Sequence, residues 1–180
     1  MAEIVLFHHA QGLTAGCVAF ADALRAAGHV VHTPDLYDGA TFTMLPDGMA
    51  YAERIGFGAI IERGEAAVAA LGSDLVYAGF SLGVMPAQKL AMTRPGARAA
   101  VFMHATVPPE YFGGPWPASV PLQIHVMDGD ELGDVDVARA LEGAELFLYP
   151  GDGHLFTDPS LPDYDPAATA LVLERVLAFL

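Results

Sequence analysis

The stretch that decides the fold of this chain is Gly79-Phe80-Ser81-Leu82-Gly83. It follows an apolar run over residues 74–78, typical of a buried strand, and precedes a helical pattern over residues 84–92. Strand, G-x-S-x-G turn and helix in this order form the layout of a nucleophile elbow, in which two glycines let the backbone reverse sharply beneath an exposed serine. The helix behind the turn directs backbone N–H groups at the same point, where they favour a developing negative charge. The sequence therefore predicts Ser81 as a nucleophile.

A serine nucleophile needs a base and a carboxylate that orients the base. The strand-like run over residues 121–127 ends in the acidic turn Asp128-Gly129-Asp130-Glu131, and the next run, residues 144–149, is followed by His154 in a glycine-rich loop. Ligands bind at the carboxyl edge of an open parallel sheet, so we expect both groups to lie near Ser81. A histidine, with an unperturbed pKa of about 6.5, takes and returns a proton near neutral pH.

The order of apolar patterns along the chain predicts the architecture. Short runs of strand length alternate with longer helical patterns, which implies βαβ crossovers and a mostly parallel sheet of about six strands with helices on both faces. Strands are predicted near residues 3–8, 29–33, 74–79, 98–104, 121–127 and 144–149, and helices near residues 14–27, 49–70, 82–94, 134–142 and 166–179. Residues 34–47 and 107–121 are rich in proline and glycine and are predicted to be long loops near the mouth of a site.

Length and composition fit one enzyme domain over residues 1–180. The chain has 180 residues, and its 53% hydrophobic against 17% charged residues exclude a disordered protein. The net charge of -14 disfavours nucleic acid and anionic membranes as partners, since both bind through clustered positive charge.

The single cysteine, Cys17, excludes an intramolecular disulfide and is interpreted as a small packed hydrophobe in a helical pattern. The first residues lack a signal-peptide pattern, and no apolar stretch reaches the roughly 18 residues of a membrane span. A cytoplasmic protein is expected.

Four segments carry a family resemblance: Phe7-His8-His9-Ala10-Gln11-Gly12-Leu13, Thr33-Pro34-Asp35-Leu36-Tyr37, the elbow, and Pro150-Gly151-Asp152-Gly153-His154-Leu155-Phe156. Together they resemble the dienelactone hydrolase family of α/β-hydrolases. The resemblance implies a compact α/β-hydrolase fold that starts at what looks like the third strand of the complete fold, with about six strands where that fold has eight. It also implies that no cofactor is required.

The resemblance assigns roles to individual residues. Ser81 is the nucleophile, His154 the base and a residue of the Asp128–Asp130 turn the acid, with the family pattern favouring Asp130. Asp152 is an alternative acid from its position alone, although a turn-forming role fits it better. The backbone N–H groups of Leu82 and Ala10 are expected to form the oxyanion hole.

Two departures from the family pattern bear on the substrate. The name-giving enzymes use cysteine in the elbow where this chain has Ser81, and many relatives have a glutamate where it has His9. No pair of arginines is evident that would clamp a substrate carboxylate. Ordinary ester hydrolysis is therefore expected in place of dienelactone chemistry.

Other polar and aromatic residues are assigned to the surroundings of the site. His9, Gln11 and His104 are predicted to line the substrate pocket. Trp116, Tyr37 and Phe156 leave two interpretations open, because they either wall an acyl pocket or cover the sheet edge. No H-E-x-x-H or similar spacing exists among the seven histidines, so no metal site is expected.

The sequence thus predicts a serine hydrolase that cleaves a small carboxylic ester or lactone. A thioesterase or peptide hydrolase with the same residues stays open, as does a non-catalytic ligand-binding protein on this fold.

Overall fold

Six parallel strands form one sheet in the computed structural model, which describes all 180 residues. The strands are β1 (Glu3–Phe7), β2 (Val30–His32), β3 (Leu75–Phe80), β4 (Ala99–Met103), β5 (Leu122–Met127) and β6 (Glu145–Tyr149). Their spatial order is β2-β1-β3-β4-β5-β6, and every neighbouring pair is parallel. The predicted parallel sheet of about six strands is confirmed.

Helices cover both faces of the sheet, as predicted. They are α1 (Ala15–Ala26), α2 (Leu45–Ile55), α3 (Phe57–Ala67), α4 (Val84–Thr93), α5 (Val135–Ala140) and α6 (Pro166–Phe179). None of them is long and apolar enough to cross a membrane.

Two apolar cores result from the alternation of side chains along the strands. In β1, Val5 and Phe7 belong to the core beneath α2, α3 and α4, whereas Ile4 and Leu6 belong to the core beneath α1 and α6. The same alternation continues through β3 and β4. Because both faces are buried, these strands read in the sequence as continuous apolar runs.

Side-chain caps define where two of the helices begin. The side chain of Thr14 accepts a hydrogen bond from the N–H of Cys17 at the start of α1. At α6, Asp165 Oδ1 accepts hydrogen bonds from the N–H groups of Ala167 and Ala168, and Pro166 occupies the first turn. Both arrangements satisfy N–H groups that have no partner within the helix.

Several predicted bounds are wrong in detail. The helix predicted over residues 49–70 is two helices, α2 and α3, separated at Gly56, whose φ of 92° interrupts the helical backbone. Helix α2 begins at Leu45, inside the predicted loop 34–47. The predicted loop 107–121 contains a short 3₁₀ helix, Pro109–Phe112. The elements predicted over 29–33 and 134–142 are shorter than expected.

The carboxyl ends of the strands bring the polar residues of five loops to one edge of the sheet. His9 follows β1, Ser81 follows β3, His104 follows β4, Asp130 follows β5 and His154 follows β6. This is the edge where open parallel sheets hold their ligands.

Candidate active site

The turn that carries Ser81 is held by close backbone packing. Ser81 has a φ of 47°, in the left-handed region that non-glycine residues rarely adopt. A Cβ at Gly83 would overlap the backbone oxygens of Phe7 and His8, and a Cβ at Gly79 would overlap the carbonyl of Gly83. Only glycine fits at either position, so the G-x-S-x-G spacing is a steric requirement of this elbow.

A continuous chain of hydrogen bonds links three side chains from three loops. Ser81 Oγ lies 2.7 Å from His154 Nε2, and His154 Nδ1 lies 2.8 Å from Asp130 Oδ2. The His154 and Asp130 side chains are only 8% and 2% exposed. The N–H of His154 also donates to Asp163 Oδ2, over 3.2 Å, which fixes the backbone of the histidine loop.

Backbone pairing explains how Asp130 comes to lie beside His154. The N–H of Asp128 donates to the carbonyl of Tyr149 in β6, and the N–H of Gly129 donates to the carbonyl of Gly151, over 2.9 and 2.8 Å. These bonds join the turn after β5 to the loop after β6. Asp130 Oδ1 accepts from the N–H of Leu132, over 2.9 Å, which leaves Oδ2 for the imidazole.

The two competing carboxylates point elsewhere. Asp128 is exposed, and its Oδ1 accepts only a 3.3 Å hydrogen bond from the N–H of Gly151. Asp152 is exposed as well. Of the three candidates, Asp130 is the one within hydrogen-bonding distance of His154.

His104 packs against His154. Its ring lies 6.2 Å from that of His154 and is stacked on Phe80 at 5.8 Å, and its Nε2 pairs with Thr157 Oγ1 over 2.7 Å. Burial lowers the pKa of His104 well below its usual value, so the ring is neutral. Its Nδ1 has no hydrogen-bond partner in the protein.

His9 forms a buried pair with Asp158, an acid four residues beyond His154. His9 Nε2 lies 2.9 Å from Asp158 Oδ2, and both residues are at most 3% exposed. Burial acts to lower the pKa of His9, but the hydrogen bond with Asp158 outweighs it and raises the pKa. Nε2 donates to the carboxylate, which as an ion only accepts hydrogen bonds, and the N–H of Gln11 lies 3.2 Å from Nδ1 of the same ring.

A thiol completes a cluster around this pair. The potential ligand atoms of His9, Cys17 and Asp158 lie within 4.8 Å of one another, an arrangement with three kinds of metal-binding side chain. The carboxylate already accepts hydrogen bonds from His9, Thr14 and Ser160, and the space among these residues does not admit a water molecule. The cluster is therefore a filled hydrogen-bonded core, with Cys17 packed as a small hydrophobe.

The predicted pocket residues occupy different places. Gln11 is buried and bonds the loop before α2, through its Nε2 to the carbonyl of Phe42 over 3.0 Å. Tyr37 and Phe156 have no exposed surface. The pocket-wall interpretation of these two aromatics is wrong for this structure, because Tyr37 packs against His8 and Phe156 packs against His104 in the interior.

Trp116, the third predicted aromatic residue, lines a cavity. Its ring meets Phe102 edge to face, and its Nε1 donates to the carbonyl of Val120 over 2.8 Å. The cavity, of about 640 Å³, lies between the 107–121 loop and α5, and its apolar lining includes Leu141. Neither Ser81 nor His154 lines it.

Sequence reasoning missed Asp158 and Asp163. Each lies in the loop between His154 and α6, where an acidic residue looks like ordinary loop composition. Asp158 is separated from its partner His9 by 149 residues, so no local spacing signals the pair.

The family comparison agrees with this geometry. The model of the dienelactone hydrolase family matches residues 1–180. The chain belongs to this family. No curated protein sequence matches the chain.

Solved structures share the fold of this family member at low sequence identity. A candidate dienelactone hydrolase from Klebsiella pneumoniae has a TM-score of 0.75 at 17% identity, with 99% of this chain and 85% of that chain covered. A dienelactone hydrolase from Anabaena variabilis has a TM-score of 0.68 at 20% identity, with 98% and 84% covered. Est1E from Butyrivibrio proteoclasticus, solved with ferulic acid bound, has a TM-score of 0.70 at 17% identity, with 99% and 88% covered. The α/β-hydrolase fold is thus common to all of them.

Proposed function

We propose that the protein is a serine esterase that hydrolyses a small, uncharged carboxylic ester or lactone through an acyl-enzyme. The observation that carries the proposal is the unbroken hydrogen-bond chain from Ser81 through His154 to Asp130. Membership of a hydrolase family supports it independently.

The tautomer of His154 follows from its partners. An ionised carboxylate only accepts hydrogen bonds, so the proton beside Asp130 resides on Nδ1. The lone pair of Nε2 then faces the hydroxyl of Ser81 at 2.7 Å, within the distance that proton transfer needs. Asp130, buried behind the ring, stabilises the imidazolium that forms when His154 takes the proton.

The first half of the reaction forms the acyl-enzyme. Ser81 Oγ bonds to the carbonyl carbon while its proton moves to His154 Nε2, and the carbonyl oxygen becomes an oxyanion. The carbonyl then re-forms, the bond to the alcohol oxygen breaks, and His154 returns the proton to that oxygen. An ester releases its alcohol, whereas a lactone keeps the new hydroxyl on the acyl group.

The second half regenerates Ser81. Water attacks the acyl carbon as His154 takes one of its protons, and the bond to Ser81 Oγ breaks as that proton passes to the serine. The acid leaves, and no cofactor takes part in either half.

The proposal assigns the oxyanion to the backbone N–H groups of Leu82 and Ala10. Leu82 follows Ser81 directly, in the turn over residues 81–83 that leads into α4, and N–H groups at the start of a helix favour a developing negative charge. Ala10 lies in the loop after β1, a strand paired with β3 so that Phe7 lies beside Gly79. The N–H of Ala10 makes no hydrogen bond within the protein, so it is free for a substrate oxygen.

Charge supports an uncharged substrate. The chain carries a net charge of -14, and the loops that carry Asp130 and His154 also hold the exposed carboxylates of Asp128, Glu131 and Asp163. A field of this sign repels anionic substrates. The arginine salt bridges of the protein join Arg25 to Asp22, Arg63 to Asp38 and Arg139 to Asp136, and none involves Ser81, His154 or Asp130.

A second candidate uses the same residues on a different acyl group. A thioester or amide would be attacked in the same way, with a thiol or an amine as the leaving group in place of an alcohol. Est1E, with ferulic acid bound, adds weight to an ester substrate by analogy alone. A panel of p-nitrophenyl esters, acyl thioesters, anilides and lactones separates these classes by their kcat/KM values.

The central test removes the nucleophile. Ser81→Ala should lower turnover of the best ester in that panel by about 10⁴-fold or more while leaving the protein folded. A fluorophosphonate probe should label the wild-type protein and fail to label Ser81→Ala. Ser73→Ala, at the opposite end of β3, is the matched control and should behave as wild type.

Two outcomes would count against the proposal. Near-normal turnover by folded Ser81→Ala would exclude Ser81 as the nucleophile. A wild-type protein that is neither labelled by the probe nor active on any substrate of the panel would favour a non-catalytic binding protein.

A further inference from the structure

The peptide unit between His9 and Ala10 is fixed by two hydrogen bonds to its carbonyl oxygen. The carbonyl oxygen of His9 accepts hydrogen bonds from the N–H of Gly12, over 3.0 Å, and from His8 Nδ1, over 2.8 Å. A trans peptide unit is planar, with its C=O and N–H on opposite sides. Two donors on the oxygen therefore also set the direction of the Ala10 N–H.

The contact at the second ring nitrogen of His8, Nε2, sets the tautomer that this hydrogen bond needs. The N–H of Leu36 donates to His8 Nε2 over 3.0 Å, so the ring proton must reside on Nδ1, which donates to the carbonyl of His9. Burial lowers the pKa of His8 to about 4, so the ring stays neutral and keeps this tautomer at neutral pH. His8 is thus a fixed bridge between the backbone of Leu36 and the peptide of Ala10.

The His9 side chain anchors the same peptide from the other direction. Its Nε2 donates to Asp158 Oδ2, and Thr14 Oγ1 and the N–H of Ser160 donate to the same carboxylate, over 2.5 and 2.8 Å. Asp158 belongs to the same loop as His154, between β6 and α6. The loop that carries the Ala10 N–H and the loop that carries the proposed base are therefore joined by one buried contact.

Packing leaves little room for the loop to relax. A Cβ at Gly48 of α2 would overlap the carbonyl oxygen of Ala10. The N–H of Phe42 donates to the carbonyl of Gln11 over 2.9 Å. The backbone around Ala10 is thus contacted on two sides, and the hydrogen bonds of the two histidines further restrict rotation of the peptide plane.

We propose that His8, His9 and Asp158 are positioning residues for the oxyanion hole. His8 orients the peptide plane that carries the Ala10 N–H, and the His9–Asp158 pair sets its place relative to His154. The inference rests on the proposed function, because it assigns these residues to a step of ester hydrolysis. None of the three needs to touch the substrate.

A positioning role predicts a particular kinetic pattern. An oxyanion donor acts mainly on the transition state, so a misdirected Ala10 N–H lowers kcat and leaves KM nearly unchanged. Complete loss of one such donor costs about 10²–10³-fold in kcat in a known protease, and a misdirected donor should cost about 10- to 100-fold. A purely structural role would instead reduce thermal stability without changing the kcat of the folded fraction.

The experiment compares disruptive and conservative variants of the two histidines. His8→Leu and His9→Leu remove the side-chain hydrogen bonds, and each should lower kcat by about 10- to 100-fold. His8→Asn keeps a donor near the position of Nδ1, and His9→Gln keeps one near Nε2. These two should recover kcat to within about fivefold of wild type, since the donor to the peptide or to Asp158 is retained.

A transition-state analogue gives a readout that stability does not move. Phenylboronic acid adds reversibly to Ser81 Oγ and places a boron-bound oxygen in the oxyanion hole, so its Ki should rise by the factor by which kcat/KM falls. Asp158→Asn, which keeps a carbonyl acceptor, is a milder variant if a leucine variant does not fold. It should raise Ki by about tenfold.

Thr169→Val is the matched control for stability. Thr169 Oγ1 donates to the carbonyl of Phe156 near the same loop, but it does not contact the peptide of Ala10. It should lower the melting temperature while leaving kcat and the boronate Ki at wild-type values.

The outcomes separate this inference from the proposed function. If wild type is active and labelled by fluorophosphonate but folded His8→Leu, His9→Leu and Asp158→Asn keep wild-type kcat and Ki, the positioning role is overturned and the esterase proposal stands. A control that loses as much kcat as the leucine variants would overturn it as well. A wild type without activity or labelling overturns the esterase proposal itself.

Discussion

Replacing Asp130 by asparagine should inactivate the enzyme through the wrong histidine tautomer. Asp130 Oδ1 accepts from the N–H of Leu132, and Oδ2 faces His154 Nδ1. In an asparagine at this position the N–H of Leu132 selects the amide oxygen, so the amide NH₂ is directed at Nδ1. Nδ1 must then accept a hydrogen bond, so the imidazole proton moves to Nε2, the nitrogen that faces Ser81 Oγ. An imidazole in this form cannot take the serine proton.

The size of the effect follows from what is lost. Asp130→Asn removes both the correct tautomer and the charge that stabilises the imidazolium, a change that costs about 10⁴-fold in kcat in the serine protease precedent. We expect a loss of at least about 10²-fold, which is about 2.7 kcal/mol of transition-state stabilisation. Asp128→Asn changes an exposed side chain with one long backbone contact and should cost less than about tenfold.

The assay is p-nitrophenyl ester hydrolysis by the two variants and wild type, with thermal unfolding to verify that each is folded. Asp128→Asn serves as the matched control, because it makes the same chemical change two residues away. A folded Asp130→Asn with kcat within tenfold of wild type, or a larger loss in Asp128→Asn, would refute the tautomer argument.

Further expectations concern packing, pH and the nucleophile. Gly83→Ala should lower the melting temperature sharply, because the new Cβ would overlap the backbone at the end of β1. Gly72→Ala, where the Cβ meets open space, is the control, and equal melting temperatures for the two variants would contradict this packing. Burial lowers the pKa of His8 to about 4 and that of His125 to about 3, so the unfolded chain takes up protons first as pH falls below about 6.5. The free energy of unfolding should therefore fall towards about pH 4, by about 1.4 kcal/mol per pH unit for each such histidine. His125→Phe should reduce that slope in urea titrations at several pH values, and an unchanged slope would exclude His125 as a source. Ser81→Cys should keep measurable but reduced ester turnover, since a thiolate is the better nucleophile in an unoptimised position, and a folded but inactive variant would contradict this.

Local patterns in the chain were sufficient for the architecture of the site. The elbow glycines, the alternation of strands and helices and the order of Ser81, the acidic turn and His154 are all visible within short windows. Parallel strands then bring the loops after β3, β5 and β6 to one edge. These features depend on backbone geometry and hydrophobic periodicity, which neighbouring residues determine.

At some positions tertiary packing outweighs the pattern of the local sequence. Residues 49–70 have the composition of one long helix, yet the chain breaks at Gly56 so that α2 and α3 each bury a face. The sequence allows Tyr37 and Phe156 either to wall a pocket or to cover the sheet edge, and packing places both side chains in the interior. Which surface an aromatic side chain covers depends on elements distant in sequence, and no window around it contains that information.

The sequence by itself determined the fold, and it predicted Ser81, His154 and a short list of acidic residues for the site, because each of these rests on backbone patterns shorter than about one element. Only the tertiary structure showed that Asp130, and not Asp128, lies beside His154, through backbone hydrogen bonds that join the turn after β5 to β6 and to the loop that follows it. It alone paired His9 with Asp158, across 149 residues. Hydrogen bonds between distant loops depend on how the whole chain packs, and a carboxylate finds its partner only after that packing has closed the loops.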